Sequence, residues 1–536
     1  GIRELRMSRG LGDGYKRQTQ NNSHRQYLTG QLIAEYKGVF GKHDINVLGG
    51  WSAEENLYED LQGKRTNIVG NELPALNLGD TDGWSNAADE NEWALLSGFM
   101  RASYAFAAKY LVEVNFRADA SSRFSKKNRW GVFPSASVGW RITEEKFMQN
   151  QHIFDNLKLR ASWGQLGNQN GLGLYDHIAS YNINGYYPFK SELGQWAVIS
   201  KLPSESRTWE TVEVKNIAVD MAFLRNRLTV TGEYFIKKNK DMLVSIEIPS
   251  IIGIDVPTGN YGELKVKGWE VTVGWQDKIK DFSYGARFNL SDQKDKLVDY
   301  GVEYNGFVAG VNQKVQGYSL GSIFGYRTDG YFTSEEEVKN SAAFNKAITG
   351  VGDIKYIDKD GDGKISAPND LEYLGTTTPR YTFGLNLTAA WKGFDLGMLL
   401  QGVGKRNFYL SSEVMNPYYA TWNNFSYKMH NDYWTPENPN AAFPRYYAGA
   451  NHNYQISDHW LQNAAYVRLK NLQLGYTISP KLTKSWGIQR LRVYFSGDNL
   501  CEYSKLNDNF DPELSDINGY VYPIMRNFSF GINVTL

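Results

Sequence analysis

A single cysteine, Cys501, in 536 residues excludes an intrachain disulfide and any cysteine-built zinc site. Charge of one sign is lacking too. With 58 basic and 58 acidic residues the formal net charge is zero, so the basic excess of nucleic-acid binders is missing. No apolar run approaches the roughly 18 residues of a transmembrane helix, and mean hydropathy is −0.49. Of the common catalytic signatures, no HExxH or Walker A pattern occurs. The seven histidines are scattered, at 24, 43, 152, 177, 430, 452 and 459. Carboxylate pairs such as Asp89-Glu90 read as solvated loop charge, since glycoside hydrolysis needs two carboxyls on opposite sides of one bond. The opening Gly-Ile-Arg-Glu has no basic stretch followed by an apolar one. A secreted precursor needs one, so the expectation is that it was removed or that the chain begins inside its gene.

Aromatic residues, by contrast, make up 14%, with 35 Tyr, 26 Phe and 15 Trp beside 52 Gly and only 15 Pro. They sit in stretches of strict alternation. Phe528, Phe530, Ile532, Val534 and Leu536 share one parity, against Ser529, Gly531, Asn533 and Thr535. Tyr381, Phe383, Leu385, Leu387, Ala389 and Trp391 oppose Thr382, Gly384, Asn386 and Thr388. A strand with one greasy and one polar face must set the first against something apolar. Many such strands with polar opposite faces predict a transmembrane antiparallel β-barrel, with lipid outside and water inside.

The alternation places strands near 25–38, 43–57, 95–108, 110–121, 130–142, 155–165, 209–222, 227–238, 263–276, 281–290, 381–391, 393–404, 463–477, 489–500 and 524–536. The expected class is therefore all-β, with about 15–16 strands in this chain. Short links, such as Gly41-Lys42-His43 and Lys392-Gly393, alternate with long ones at 58–94, 166–208, 239–262, 291–380, 405–462 and 501–523. Barrels show this asymmetry, with tight periplasmic turns and elaborate external loops. One strand breaks parity: Val467 and Leu469 are odd, then Leu472, Leu474 and Tyr476 are even. Its charged upper half is expected to stand above the bilayer, in preference to a β-bulge near Asn471. An odd strand count starts residue 25 on the extracellular side. Residues 1–8 alternate too poorly to supply one more strand, so the chain is expected to be a C-terminal portion of a longer barrel protein.

Several stretches resemble the SusC/RagA family of TonB-dependent outer-membrane transporters. They are Tyr110-Leu111-Val112-Glu113-Val114-Asn115-Phe116-Arg117 with Asp119 to Phe124, Leu157-Lys158-Leu159-Arg160-Ala161-Ser162-Trp163-Gly164, Tyr234 to Leu243, Gly325-Tyr326-Arg327-Thr328-Asp329-Gly330, Gly352-Asp353-Ile354-Lys355-Tyr356 and Tyr466-Val467-Arg468-Leu469-Lys470-Asn471-Leu472. Their order spans nearly the whole chain. The resemblance implies a 22-stranded barrel, an N-terminal plug and TonB-engaging segment outside this chain, and a SusD-like surface lipoprotein as partner. It implies active import of a bulky nutrient, an oligosaccharide or else a peptide, across the outer membrane of a Gram-negative bacterium. No enzyme activity and no required cofactor is implied. A passive porin of about sixteen strands is the alternative.

Two local features carry chemistry. Asp358-Lys359-Asp360-Gly361-Asp362-Gly363-Lys364 matches the start of an EF-hand-type loop, with Asp370 further along. Asp358, Asp360, Asp362, the Lys364 carbonyl and Asp370 are the candidate ligands of a structural Ca2+; a solvated Asp/Gly turn is the alternative. Aromatic residues cluster in two loops, Tyr186, Tyr187 and Trp196 in one, Tyr418, Tyr419 and Trp422 in the other. Flat rings stack on sugars or on a partner protein. Packing among loops or against the lipoprotein is the first reading and direct substrate contact the second.

Overall fold

The computed structural model describes residues 17–536 except 69–74, 190–191, 200, 246–250, 252, 255–257, 302–306, 419–427, 448, 515–521 and 523. Residues 1–8 therefore lie outside the described residues. Fifteen strands form one sheet: β1 (Arg17–Phe40), β2 (His43–Thr66), β3 (Ser85–Phe106), β4 (Tyr110–Ser121), β5 (Trp130–Arg141), β6 (Phe154–Asn168), β7 (Glu210–Phe223), β8 (Leu228–Val244), β9 (Gly259–Ile279), β10 (Phe282–Asp299), β11 (Arg380–Trp391), β12 (Phe394–Lys405), β13 (Tyr466–Thr477), β14 (Arg490–Ser504) and β15 (Asn527–Thr535). Each pairs antiparallel with the next in chain order. No helix among the described residues is long and apolar enough to cross a membrane.

Every strand expected from the alternation is present. The physical reason is local: side chains two apart share a face, and cross-strand partners share it too. Thus Phe288, Leu385 and Leu400 form one outward row, and Arg287, Asn386 and Leu399 the neighbouring inward row. Charges on the inner face find each other. Arg160 reaches Asp220 at 2.7 Å and Glu233 at 3.7 Å across three strands.

Short turns and long loops occupy opposite ends. At Lys392-Gly393 both residues have positive φ, 46° and 95°, matching the right-handed twist of the flanking strands. The loops start later than the sequence suggested. β1, β2 and β3 run 24, 24 and 22 residues. At about 3.3 Å per residue they greatly overshoot an apolar band about 25 Å tall. Much of 58–94 is therefore ladder rising into water, where backbone pairing continues without any lipid-facing pattern to announce it.

The parity break in β13 is a β-bulge, which corrects the expectation. Leu400 pairs with Leu469 and Leu399 with Asn471, leaving Lys470 as an extra residue. A second irregularity sits at the same place against β14. The extra residue keeps Leu469 and Leu472 on one face. It leaves Arg468, 2% exposed, to meet Asp511 at 2.7 Å and Glu513 at 2.9 Å, with Glu502 also bonded to it.

Candidate functional site

The apolar core lies in the loops. Connection 300–379 folds a three-stranded and a two-stranded sheet of its own, and 406–465 a two-stranded one. Tyr326, Ile354, Tyr356, Ile365 and Leu371 from the first pack with Phe408, Leu410, Val414, Phe443, Tyr454 and Trp460 from the second. Trp460 is 1% exposed, and its ring nitrogen donates to the Asn453 carbonyl at 3.2 Å. Loops of this length need such a core to hold one shape.

One buried carboxylate ties the two loops. Asp353 is fully buried and accepts from the Gly350 amide at 2.7 Å, the Asn453 side chain at 2.9 Å and the Tyr447 hydroxyl at 3.0 Å. His452 Nε2 lies 3.0 Å from it. Sequence reasoning missed this clamp. Asp353 stood in a quoted motif, but its partners are about a hundred residues away and His452 looked like one of seven scattered histidines. Nearby, Ser334 caps a one-turn helix, Glu335–Asn340, by accepting from the Glu337 amide. Lys355 and the Thr333 amide hold Glu337 down to about 2. Burial pushes the Tyr356 hydroxyl well up and keeps His459 below the ordinary histidine range.

The Asp358 loop is close to its expected form. One oxygen from each of Asp358, Asp360 and Asp362 lies within 4.8 Å of the others, a spacing a hard cation could bridge. Gly361 and Gly363 turn the chain at φ 75° and 82°. The Gly363 and Gly361 amides donate to Asp358 and hold its carboxyl below the usual range. Asp370 is not part of the cluster. It is 1% exposed and accepts from the Lys359 amide at 2.8 Å and the Ser366 amide at 2.7 Å, which closes the loop at its base. Lys364 gives its amide to Asp362 at 2.8 Å.

The two aromatic clusters part company. Tyr186, Tyr187 and Trp196 sit on a separate hairpin, Tyr181–Phe189 paired with Glu192–Ile199, and are 65%, 57% and 40% exposed. Gly185, at φ 89°, sits beside the Trp196 indole, where a Cβ would meet its nitrogen at 3.3 Å. Tyr418 instead stacks edge-on against Tyr446 at the margin of the loop core, ring centroids 5.7 Å apart. Tyr419 and Trp422 lie outside the described residues.

The antiparallel wall has counterparts among known proteins. The model of the TonB dependent receptor-like, beta-barrel family matches residues 4–500. The chain belongs to this family. It is 30% identical over 553 residues to TonB-dependent receptor P26 of Formosa agariphila, covering 98% of this chain and 54% of that one. It is 28% identical over 463 residues to TonB-dependent receptor SusC of Bacteroides thetaiotaomicron, covering 82% and 43%. Its fold matches the RagAB peptide transporter with a TM-score of 0.82 at 24% identity, over 97% of this chain and 56% of that one. The chain spans about half the length of the curated relatives it matches. Family membership makes it an outer-membrane β-barrel protein.

Proposed function

We propose that this chain supplies the wall and external loops of a TonB-dependent importer that takes up a bulky nutrient under a SusD-like surface lipoprotein. The observation that carries the reading is the exposed aromatic hairpin. The core built by connections 300–379 and 406–465 includes none of Tyr186, Tyr187 and Trp196, whose rings are largely exposed. Exposed rings beside a folded loop body suit a partner protein or a sugar face. The substrate class in this reading is an oligosaccharide. A peptide is the second reading, motivated by the RagAB transporter whose fold this chain shares. The outer edges of β1 and β15 have no partner among the described residues. Unpaired edges are intolerable in lipid, and further strands would close the wall at the 22 the resemblance implies.

The test uses the full-length protein in cells that make the lipoprotein. The variant Y186A/Y187A/W196A should lose lipoprotein on co-purification and lose uptake of labelled oligosaccharide. Uptake of peptide but not oligosaccharide by the wild type selects the peptide reading. Uptake that survives collapse of the proton gradient overturns active import in favour of a passive pore. Within the same proposal the Asp358 loop holds a structural Ca2+ that stiffens connection 300–379. Calorimetric titration with Ca2+, compared with D358N/D360N, checks it; equal heats for both remove the ion.

A further inference from the structure

The outer face of β7 to β10 carries an unusual array just beyond the apolar band. The register aligns Lys215, Ile236, Lys267 and Lys294 in one cross-strand row. The next row toward the long loops is Glu213, Lys238, Lys265 and Lys296. Two residues along a strand return to the same face, so all eight side chains point the same way. That face is the lipid-facing one. Directly below Lys267 on β9 come Trp269, Val271, Val273 and Trp275, and directly below Lys294 and Asp292 on β10 come Leu290 and Phe288.

Strands about 4.8 Å apart and rows about 7 Å apart make a patch about 14 Å wide. Six of its eight positions are lysine. Lys265 faces both Lys238 and Lys296, and Lys267 faces Lys294. Like charges directly opposite one another destabilise a sheet, and the acids near them, Glu213, Glu263 and Asp292, are fewer than the lysines. Glu213 is taken by Lys240 at 2.6 Å and Lys215 at 3.2 Å. Lys238 reaches Glu263 at 3.8 Å. Asp292 is bound by Arg380. Lys265, Lys267, Lys294 and Lys296 have no ion pair among the described residues. By contrast, the matching outward positions on β2 and β3 carry Glu55 and Glu92.

Beneath the lysines lies a second, independent feature. Small side chains at Ala136 and Ala161, walled by Trp163, Ile217, Tyr234 and Ile236, open a groove of about 440 Å³ on the lipid-facing surface. Trp163 and Ile236 flank Lys215 in the first row, so the groove runs straight into the patch. Tyr234 and Trp269 pair beside it, at the level where aromatic side chains mark the membrane interface.

We propose that this surface binds the phosphorylated glycolipid of the outer leaflet, its headgroup phosphates on the four unpaired lysines and one acyl chain in the Ala136–Ala161 groove. The side of the membrane selects the lipid. The patch sits at the long-loop end of the wall, which is the extracellular end. Anionic lipid headgroups are drawn to such basic clusters, and lysine binds phosphate as a point charge. The site is separate from the lumen and does not depend on what the barrel transports.

The full-length protein is extracted from its own outer membrane in non-ionic detergent and its bound lipid weighed by mass spectrometry. The wild type should retain phosphorylated glycolipid, and K265Q/K267Q/K294Q/K296Q should retain at least about tenfold less. The all-arginine version of the same four positions should keep it. Heat-shifted gel mobility reports whether the glutamine variant is folded. A second arm needs no variant: delipidated wild type is offered bisphosphorylated lipid A, its dephosphorylated form, phosphatidylglycerol or inorganic phosphate. Preference for the bisphosphorylated lipid by at least about tenfold supports the site. Equal binding of the dephosphorylated form, equal binding of phosphatidylglycerol, or equal retention by the glutamine variant overturns it; binding of inorganic phosphate without the lipid does so too.

Discussion

Phe530 and Trp460 are both large aromatic residues, yet one is 83% exposed and the other 1%. Phe530 belongs to the wall and Trp460 to the loops. The wall turns its apolar side chains outward and holds itself by cross-strand hydrogen bonding, so its hydrophobic partner is the bilayer. The loops stand in water and must bury their own. One chain thus uses apolar side chains in two opposite ways, and the change occurs within a few residues of each strand end.

The comparison can be broken at several points. Trp460→Ala should have the largest effect, about 3–5 kcal/mol lost from the loop core, seen as rapid proteolysis of 300–379 and 406–465 while the wall stays folded. Leu385→Arg should cost about 2–4 kcal/mol for insertion into vesicles, read by urea titration, because its side chain faces the middle of the lipid band. Asn386→Arg, one residue away but facing the lumen, should cost far less. Asp353→Ala should destabilise the loop body by about 1–3 kcal/mol, visible as faster hydrogen exchange at Gly350 and Ile354. Trp196→Ala should change stability by no more than about 0.5 kcal/mol while lowering lipoprotein capture or uptake. A destabilising Trp196→Ala would show that the hairpin belongs to the loop core after all.

The same contrast explains what was legible beforehand. All fifteen wall strands could be read because lipid imposes a period of two on every one of them, as at Phe528 to Leu536. The loop core could not, because its members come from two different connections, with β11 and β12 between them, and follow no period. Tyr326 and Trp460 meet in one cluster with nothing in either segment to announce it. The Lys470 bulge was half visible: the parity break showed in the sequence, but only the pairing of Leu399 and Leu400 separates a bulge from a change of environment. In the Asp358 loop the three converging carboxylates were legible. The role of Asp370 was not, since a carboxylate that caps backbone amides looks like a ligand until the fold places those amides beside it.

The central claim is that alternate side chains of the sheet face hydrocarbon and water. Nitroxide labels at 385 and 386, on neighbouring residues of β11, test it most directly in reconstituted membranes. The label at 385 should be relaxed by oxygen and the label at 386 by a water-soluble nickel complex. Nickel access at 385, or oxygen access without nickel at 386, would contradict the assignment.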